Sequence, residues 1–243
     1  MIVLRWCLIT GAIPLLLSCS HGHVETGSEQ SAHPSGPDSA TASASWIDSA
    51  DFFADSLSIG RKGLNRIEMA QYRTEASVYV ILKLFSMQNG TSALRQKVVF
   101  AKDGISGLHV ELADFNNDGF KDVTCVSATA GRGANEIRRL WIYAGEGDSL
   151  VYIKNSMDYP NIRYNERRDC IDAFRVYGGC STDFLRITGD SLQEFATVEL
   201  SEGLTVTTID RHGKRRVIKR DTSEHESFVR YKNFAPLERD DGY

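Results

Sequence analysis

Along most of the chain, apolar and polar residues alternate in short runs broken by Gly- or Asp-containing turns, the pattern of half-buried antiparallel strands. Ser77 to Phe85 (SVYVILKLF) runs into Gln88-Asn89-Gly90-Thr91 and returns through Gln96 to Phe100. Arg139 to Tyr143 turns at Gly145-Glu146-Gly147-Asp148 and returns as Leu150 to Ile153. Asp172 to Tyr177 turns at Gly178-Gly179 and returns as Asp183 to Ile187, after which Gly189-Asp190 leads into Leu192 to Leu200. Leu204 to Ile209 turns at Asp210-Arg211-His212-Gly213 and returns as Arg215 to Lys219. Asn-Gly and Gly-Gly supply the positive φ angles that tight hairpins require. A helical period shows only weakly, around Leu57 to Tyr72. The pattern predicts an all-β fold, an antiparallel meander of hairpins. The loose repeat of Gly-Asp-Ser-Leu at 147–150 and 189–192 favours a small propeller-like domain.

The first eighteen residues break this pattern. Arg5 precedes an apolar run from Trp6 to Leu17, too short to span a hydrocarbon core of roughly 30 Å as a helix but suited to a signal peptide. Leu16-Leu17-Ser18-Cys19 follows at once and resembles the lipobox of bacterial lipoprotein precursors. That resemblance implies cleavage before Cys19, a diacylglyceryl group on its thiol and a further acyl chain on its new amino terminus. Two or three chains anchor stably where one does not. Ser20, rather than an acidic residue, implies the outer membrane under the enteric sorting rule. From Ser20 to about Ser45 the chain is rich in Ser, Ala, Gly, His and Pro, a composition that cannot bury enough surface to offset its ordering entropy. We expect a signal at 1–18, a lipid-anchored tether at 19–45 that carries His21, His23 and His33, and one folded domain at 46–243.

Charge narrows the partners. The chain holds 28 Lys and Arg against 32 Asp and Glu, a formal −4 that becomes −5 when Arg5 leaves with the signal. This mild acidity argues against a nucleic-acid binder, which would carry a basic stripe. Cys125, Cys170 and Cys180 remain in the domain, so at most one internal disulfide forms, and spacing alone does not choose the pair. Their spacing matches no zinc pattern.

One segment carries recognisable chemistry: Asp114-Phe115-Asn116-Asn117-Asp118-Gly119-Phe120-Lys121-Asp122, the pattern D-x-N-x-D-G-x-x-D. Calcium takes six to eight oxygens at about 2.3–2.6 Å, and oxygens at alternate positions turn inward when a backbone curls around the ion. Asp114, Asn116 and Asp118 would offer side-chain oxygens, Phe120 its carbonyl and Asp122 the closing carboxylate, with Gly119 at the bend. An EF-hand would place a bidentate Glu at the twelfth loop position, which here is Cys125, and the flanks Leu108 to Leu112 and Val123 to Val126 read as strands. A calcium loop between strands resembles that of FG-GAP and VCBS-type repeats. From Leu112 to about Leu200 the motif order is similar to exported bacterial proteins with one such loop. The loop is followed by Ala130-Gly131-Arg132-Gly133-Ala134-Asn135, then Leu140-Trp141-Ile142-Tyr143, Tyr159-Pro160-Asn161 and Tyr177-Gly178-Gly179. The resemblance implies a propeller-like periplasmic lipoprotein that acts as an immunity protein against lysozyme-like effectors.

Catalysis is not expected. Gly104-Ile105-Ser106-Gly107 lacks the spacing of a nucleophile elbow, His109, His212 and His225 form no ligand pair at helical spacing, and Glu194 and Glu199 look like solvated strand residues. Two binding roles remain. In the first, the chain inhibits a peptidoglycan hydrolase by plugging its glycan cleft, with Arg132 and Gly133 on one loop and Tyr177 and Gly178 on another as contact residues. In the second it is a calcium-stabilised module at the outer membrane that recognises a glycan or envelope protein. The basic run Arg211 to Arg216, continuing to Lys219-Arg220, reads as a solvated hairpin guarding a sheet edge, with an acidic partner or anionic lipid as the other reading.

Overall fold

The computed structural model describes residues 47–104, 106–223, 226 and 228–241. The signal segment, Cys19 and the tether with its histidines lie outside these residues. Among the described residues sixteen strands, all antiparallel where they pair in ladders, form meanders of consecutive strands, as the alternation predicts. The first sheet is β1 (Ile47–Asp55), β2 (Asn65–Arg73), β3 (Val78–Gln88) and β4 (Thr91–Lys102). The second is β5 (Glu111–Ala113), β6 (Asp122–Ala130), β7 (Asn135–Ala144) and β8 (Ser149–Tyr152). The third has six strands: β9 (Ile162–Asn165), β10 (Cys170–Val176), β11 (Cys180–Thr188), β12 (Ser191–Leu200), β13 (Leu204–Ile209) and β14 (Arg215–Asp221). A hairpin of β15 (Tyr231–Phe234) and β16 (Leu237–Arg239) follows.

The sheets pack face to face in chain order. Ile67, Met69, Val80, Leu82 and Leu84 of the first sheet bury against Val123, Cys125, Trp141 and Tyr143 of the second. The opposite face of β7, through Leu140 and Ile142, meets Ile171, Ala173, Leu185 and Leu192 of the third. The far face of the third sheet, with Phe174, Phe184, Val198 and Val206, is covered by Tyr231, Phe234 and Leu237 of the last hairpin. That hairpin is latched by charge: Arg230 and Asp172, each 2% exposed, form a buried ion pair, and Asn165 Nδ2 donates to Asp172 Oδ2 at 2.7 Å.

Three expectations change. The weak helical reading of Leu57 to Tyr72 gives way to strand β2. Asn65, Ile67, Met69 and Gln71 are buried while Arg66, Glu68, Ala70 and Tyr72 are half-buried, a strict period of two. Glu, Met, Ala and Gln favour helix locally, but ladders with β1 and β3 on both sides override that propensity. The expected strand at Leu108 to Leu112 is only Glu111–Ala113, because His109 has φ 41° and breaks the extended run. The three cysteines are free and buried. Cys180 pairs in register with Val176, so Cys170 lies six residues further along β10, about 20 Å away and beyond disulfide reach. Cys125 packs in the separate core between the first two sheets.

Candidate functional site

The Asp114–Asp122 segment links β5 to β6 and is folded by its own side chains. Asp114 accepts from the backbone N–H groups of Asp118 (3.1 Å) and Gly119 (2.8 Å), which curls the chain around the first carboxylate. Asp118 accepts from the N–H of Phe120 at 2.9 Å, and Asn116 Nδ2 donates to its other oxygen at 2.9 Å. Gly119 takes φ 89°, a bend that side chains rarely allow. Phe115 and Phe120 turn away from the curl. Phe115 is buried near Leu140 and Ile142, and the Phe120 ring lies 5.4 Å from that of Tyr143.

Asp122 closes the loop from inside the protein. It is 0% exposed and accepts from the N–H groups of Phe115 (2.7 Å) and Tyr143 (2.8 Å), which pins both loop ends to β7. Burial pushes its carboxyl up to about 7, against those two hydrogen bonds, and the charges of Asp118 and Asp114 push the same way. The three carboxylates therefore sit within electrostatic reach of one another. Among the described residues no three His, Cys, Asp or Glu side chains converge as a preformed metal cage. The donors fit a hard cation in kind: carboxylates, an amide that presents oxygen after a half-turn, and a backbone carbonyl.

The contact residues expected from the sequence fall into a second site. Gly131–Gly133 forms a short 3-10 turn between β6 and β7, and Arg132 at its tip is exposed with φ 57°. A non-glycine residue held there costs about 1–2 kcal/mol, so the flanking structure must impose it. Asn135 does so. Its Nδ2 donates to Val176 O at 2.7 Å and its Oδ1 accepts from Val176 N–H at 2.8 Å, which ties the start of β7 to the end of β10. Asn161 adds a second clamp, with Nδ2 donating to Ala134 O (2.9 Å) and Phe174 O (2.8 Å) and Oδ1 accepting from Glu136 N–H (2.9 Å). The turn after β10 is thereby fixed beside Arg132. Tyr177, 44% exposed, donates its hydroxyl to Glu199 at 3.0 Å, and its N–H bonds Gly179 O at 2.9 Å across Gly178. A Cβ on Gly179 would lie 2.2 Å from Leu200 O, so only glycine fits that approach.

Gly131–Asn135, Asn161 and Tyr177–Gly179, distant in sequence, thus meet at one end of the second and third sheets. A groove of about 370 Å³ adjoins them, lined by Gly178, Gly179, Glu202, Gly203, Thr222 and Phe228. Composition gave no sign of Glu202 or Phe228. The clamping roles of Asn135 and Asn161 had one trace in the sequence, their places within the quoted motifs.

Other candidates are engaged elsewhere. Glu194 pairs with Arg215 at 2.7 Å while Glu199 holds Tyr177, so the two form no acid/base pair. The carboxyl that raises Glu194, after burial, is Asp183, itself raised by burial and held by Thr197 at 2.8 Å. The basic run occupies the tip and outer strand of the β13–β14 hairpin, where Arg211 to Arg220 are all exposed at the sheet edge. His109 and His212 are exposed and far apart in the topology, and His225 lies outside the described residues. Among the described residues no helix is long and apolar enough to cross a membrane.

No protein-family model matches the chain, and no curated protein matches it. A solved structure described as a Xanthomonas type IV secretion system related protein is similar to it, with a TM-score of 0.46 and 8% identity, covering 72% of this chain and 98% of that one. A likeness of that degree carries no argument about fold or function.

Proposed function

We propose that this chain is an envelope lipoprotein, anchored through Cys19, whose propeller-like domain inhibits a peptidoglycan hydrolase by inserting the Arg132 and Tyr177 loops into the enzyme's glycan cleft. The observation that carries this reading is the clamp at Asn135, which holds a strained, exposed arginine beside an exposed tyrosine on a rigid base. Arginine and tyrosine are enriched among the few residues that carry most of the energy in protein interfaces. They contribute most when their loops are ordered before binding, because ordering them on contact would cost affinity. Arg132 is positioned to pair with a cleft carboxylate through a two-pronged hydrogen bond, and the Tyr177 ring to stack where a sugar would lie. Gly131, Gly133, Gly178 and Gly179 keep both loops slim enough to enter a groove. Calcium is the cofactor, held by Asp114, Asn116, Asp118, Asp122 and the Phe120 carbonyl. It neutralises Asp118 and Asp114, whose charges add to the burial that raises Asp122, and so stiffens the turn between β5 and β6. The Arg138 side chain, which reaches Glu111 of β5 and Glu136 of β7, connects that turn to the contact end. This role involves no catalysis by the chain itself.

The test is protection in cells. Cells carrying the lipoprotein and a periplasm-targeted lysozyme-type muramidase should survive, while cells carrying the Arg132→Ala/Tyr177→Ala variant at equal abundance should lyse. Equal survival with both forms would remove the contact end from the account. A glycan- or protein-binding scaffold at the outer membrane is the second reading. It is favoured by the adjoining groove beside Glu202 and Phe228, and it predicts no protection by either form.

A further inference from the structure

Strand β14 ends the six-stranded sheet with an open edge. It lies outermost in the strand order, paired along one side with β13, and among the described residues no strand pairs with its other side. Alternate N–H and C=O groups of such a strand point away from its neighbour, so Arg215–Asp221 presents an unpaired ladder about 20 Å long. Cations flank that ladder on both faces. Register with β13 puts Arg216 and Lys219 on the face of Thr208 and Val206. It puts Arg215, Val217 and Arg220 on the opposite face, beside Ile209, Thr207 and Thr205. All six residues from Arg215 to Arg220 are exposed, Val217 and Ile218 by 48% and 43%. Arg215 pairs with Glu194 at 2.7 Å, while Arg216, Lys219 and Arg220 have no ion pair among the described residues, on a chain of net −4.

Charge chooses the occupant of this edge. A second β14 would set like charges opposite one another, so the cations exclude another copy of the chain. The bulge at Ile218, which the register of β13 on β14 skips, adds to that protection and limits the edge to a short partner. Protection alone does not account for two β-branched apolar residues at the exposed centre, which restore the hazard that the charges remove. An acidic strand meets the opposite case, because the same cations attract it. A bilayer meets one plane of a protein, whereas a chain laid along the edge pairs its backbone with the ladder and sends alternate side chains to both faces. We propose that β14 binds an extended acidic peptide segment by strand addition. Carboxylates of the segment meet Arg216, Lys219 and Arg220, its apolar side chains meet Val217 and Ile218, and it becomes the next strand of the sheet. This interaction uses none of the residues assigned to the hydrolase contact.

The test uses the full mature protein and a short fluorescent peptide of alternating glutamate and valine, followed by anisotropy. That peptide should bind, and its counterpart with lysine in place of glutamate should not. A third peptide, methylated on its backbone nitrogens, keeps the carboxylates but loses the donors that face β14, and should bind about tenfold more weakly. Arg216→Glu/Lys219→Glu, two exposed changes that spare the core, should weaken the glutamate peptide by about tenfold and gain the lysine peptide. A misfolded variant would not show that reversal. No anisotropy change with the glutamate peptide, or unchanged binding to the doubly substituted protein, overturns the proposal. Equal binding of the methylated peptide also overturns it, leaving charge attraction without strand addition. Phosphatidylglycerol vesicles that bind the native protein but not the doubly substituted one, with the glutamate peptide silent, would assign the edge to lipid instead.

Discussion

Replacing Asn135 by alanine removes the clamp without touching the exposed contact residues. Two hydrogen bonds, to Val176 O at 2.7 Å and from Val176 N–H at 2.8 Å, disappear together, and Asn135 is buried, so water does not readily replace it. Each bond contributes about 0.5–1.5 kcal/mol net, and leaving the Val176 peptide groups without partners adds desolvation cost, for a loss of about 2–3 kcal/mol. In a domain of this size that lowers Tm by roughly 5–10 °C, a large part of a typical stability of about 5–15 kcal/mol. Urea unfolding followed by circular dichroism measures it, with the slope m expected unchanged because the surface exposed on unfolding is the same. Asn135→Asp should be as damaging, since a carboxylate oxygen would replace the donor facing Val176 O. Asn161→Ala should couple to Asn135→Ala, the double variant losing less than the sum. A loss below about 0.5 kcal/mol at constant m would refute the clamp.

Other consequences are equally direct. Saturating calcium, at a hundredfold excess over Kd, should stabilise the protein by about 2.7 kcal/mol relative to chelator, and Asp114→Ala should erase the difference; equal melting of the native protein in both buffers counts against the calcium loop. Arg230→Ala leaves the buried Asp172 carboxylate with only Asn165 at 2.7 Å and the more distant Arg163 at 3.7 Å, and should cost about 3 kcal/mol by urea unfolding, more than Arg167→Ala, whose pair with Glu238 is on the surface. Burial raises the thiols of Cys125 and Cys170 to about 12 and that of Cys180 upward, so maleimide with mass spectrometry should label none of them in the folded domain and all three in urea. Rapid labelling of the native domain would place a thiol at the surface. Arg132→Gly relieves the φ 57° backbone and should leave stability unchanged or up by about 1 kcal/mol, while inhibition is lost.

Most strands announced themselves through alternation because their sheets bury one face more than the other. The hairpins β3–β4, β7–β8, β10–β11 and β13–β14 carry Asn-Gly, Gly-Asp, Gly-Gly and His-Gly turns, whose backbone preferences are local. Strand β2 was hidden because Arg66-Ile67-Glu68-Met69-Ala70-Gln71 is built of good helix formers, and only its neighbours decide the outcome. The three-residue β5 was overestimated because nothing local marks the positive φ of His109. The Asp114–Asp122 segment was legible as a turn since the side chains that curl it lie within nine consecutive residues. The meeting of the Arg132 and Tyr177 loops was only half legible. Arg132 and Tyr177 stand out as residue types beside glycines, but their adjacency depends on Asn135 reaching Val176, forty-one residues away. The free cysteines show the same limit, for the offset of Cys170 from Cys180 follows from the register of β10 on β11.

Whether the Asn135-clamped end blocks a peptidoglycan hydrolase is decided by a stoichiometric titration. A lysozyme-type muramidase clearing a peptidoglycan suspension would be titrated with the purified lipoprotein in calcium. Inhibition through that end should give a linear fall in clearing rate to near zero at one equivalent, with Arg132→Gly inactive although fully folded. Unchanged clearing at a tenfold excess over every hydrolase with a glycan cleft would contradict it.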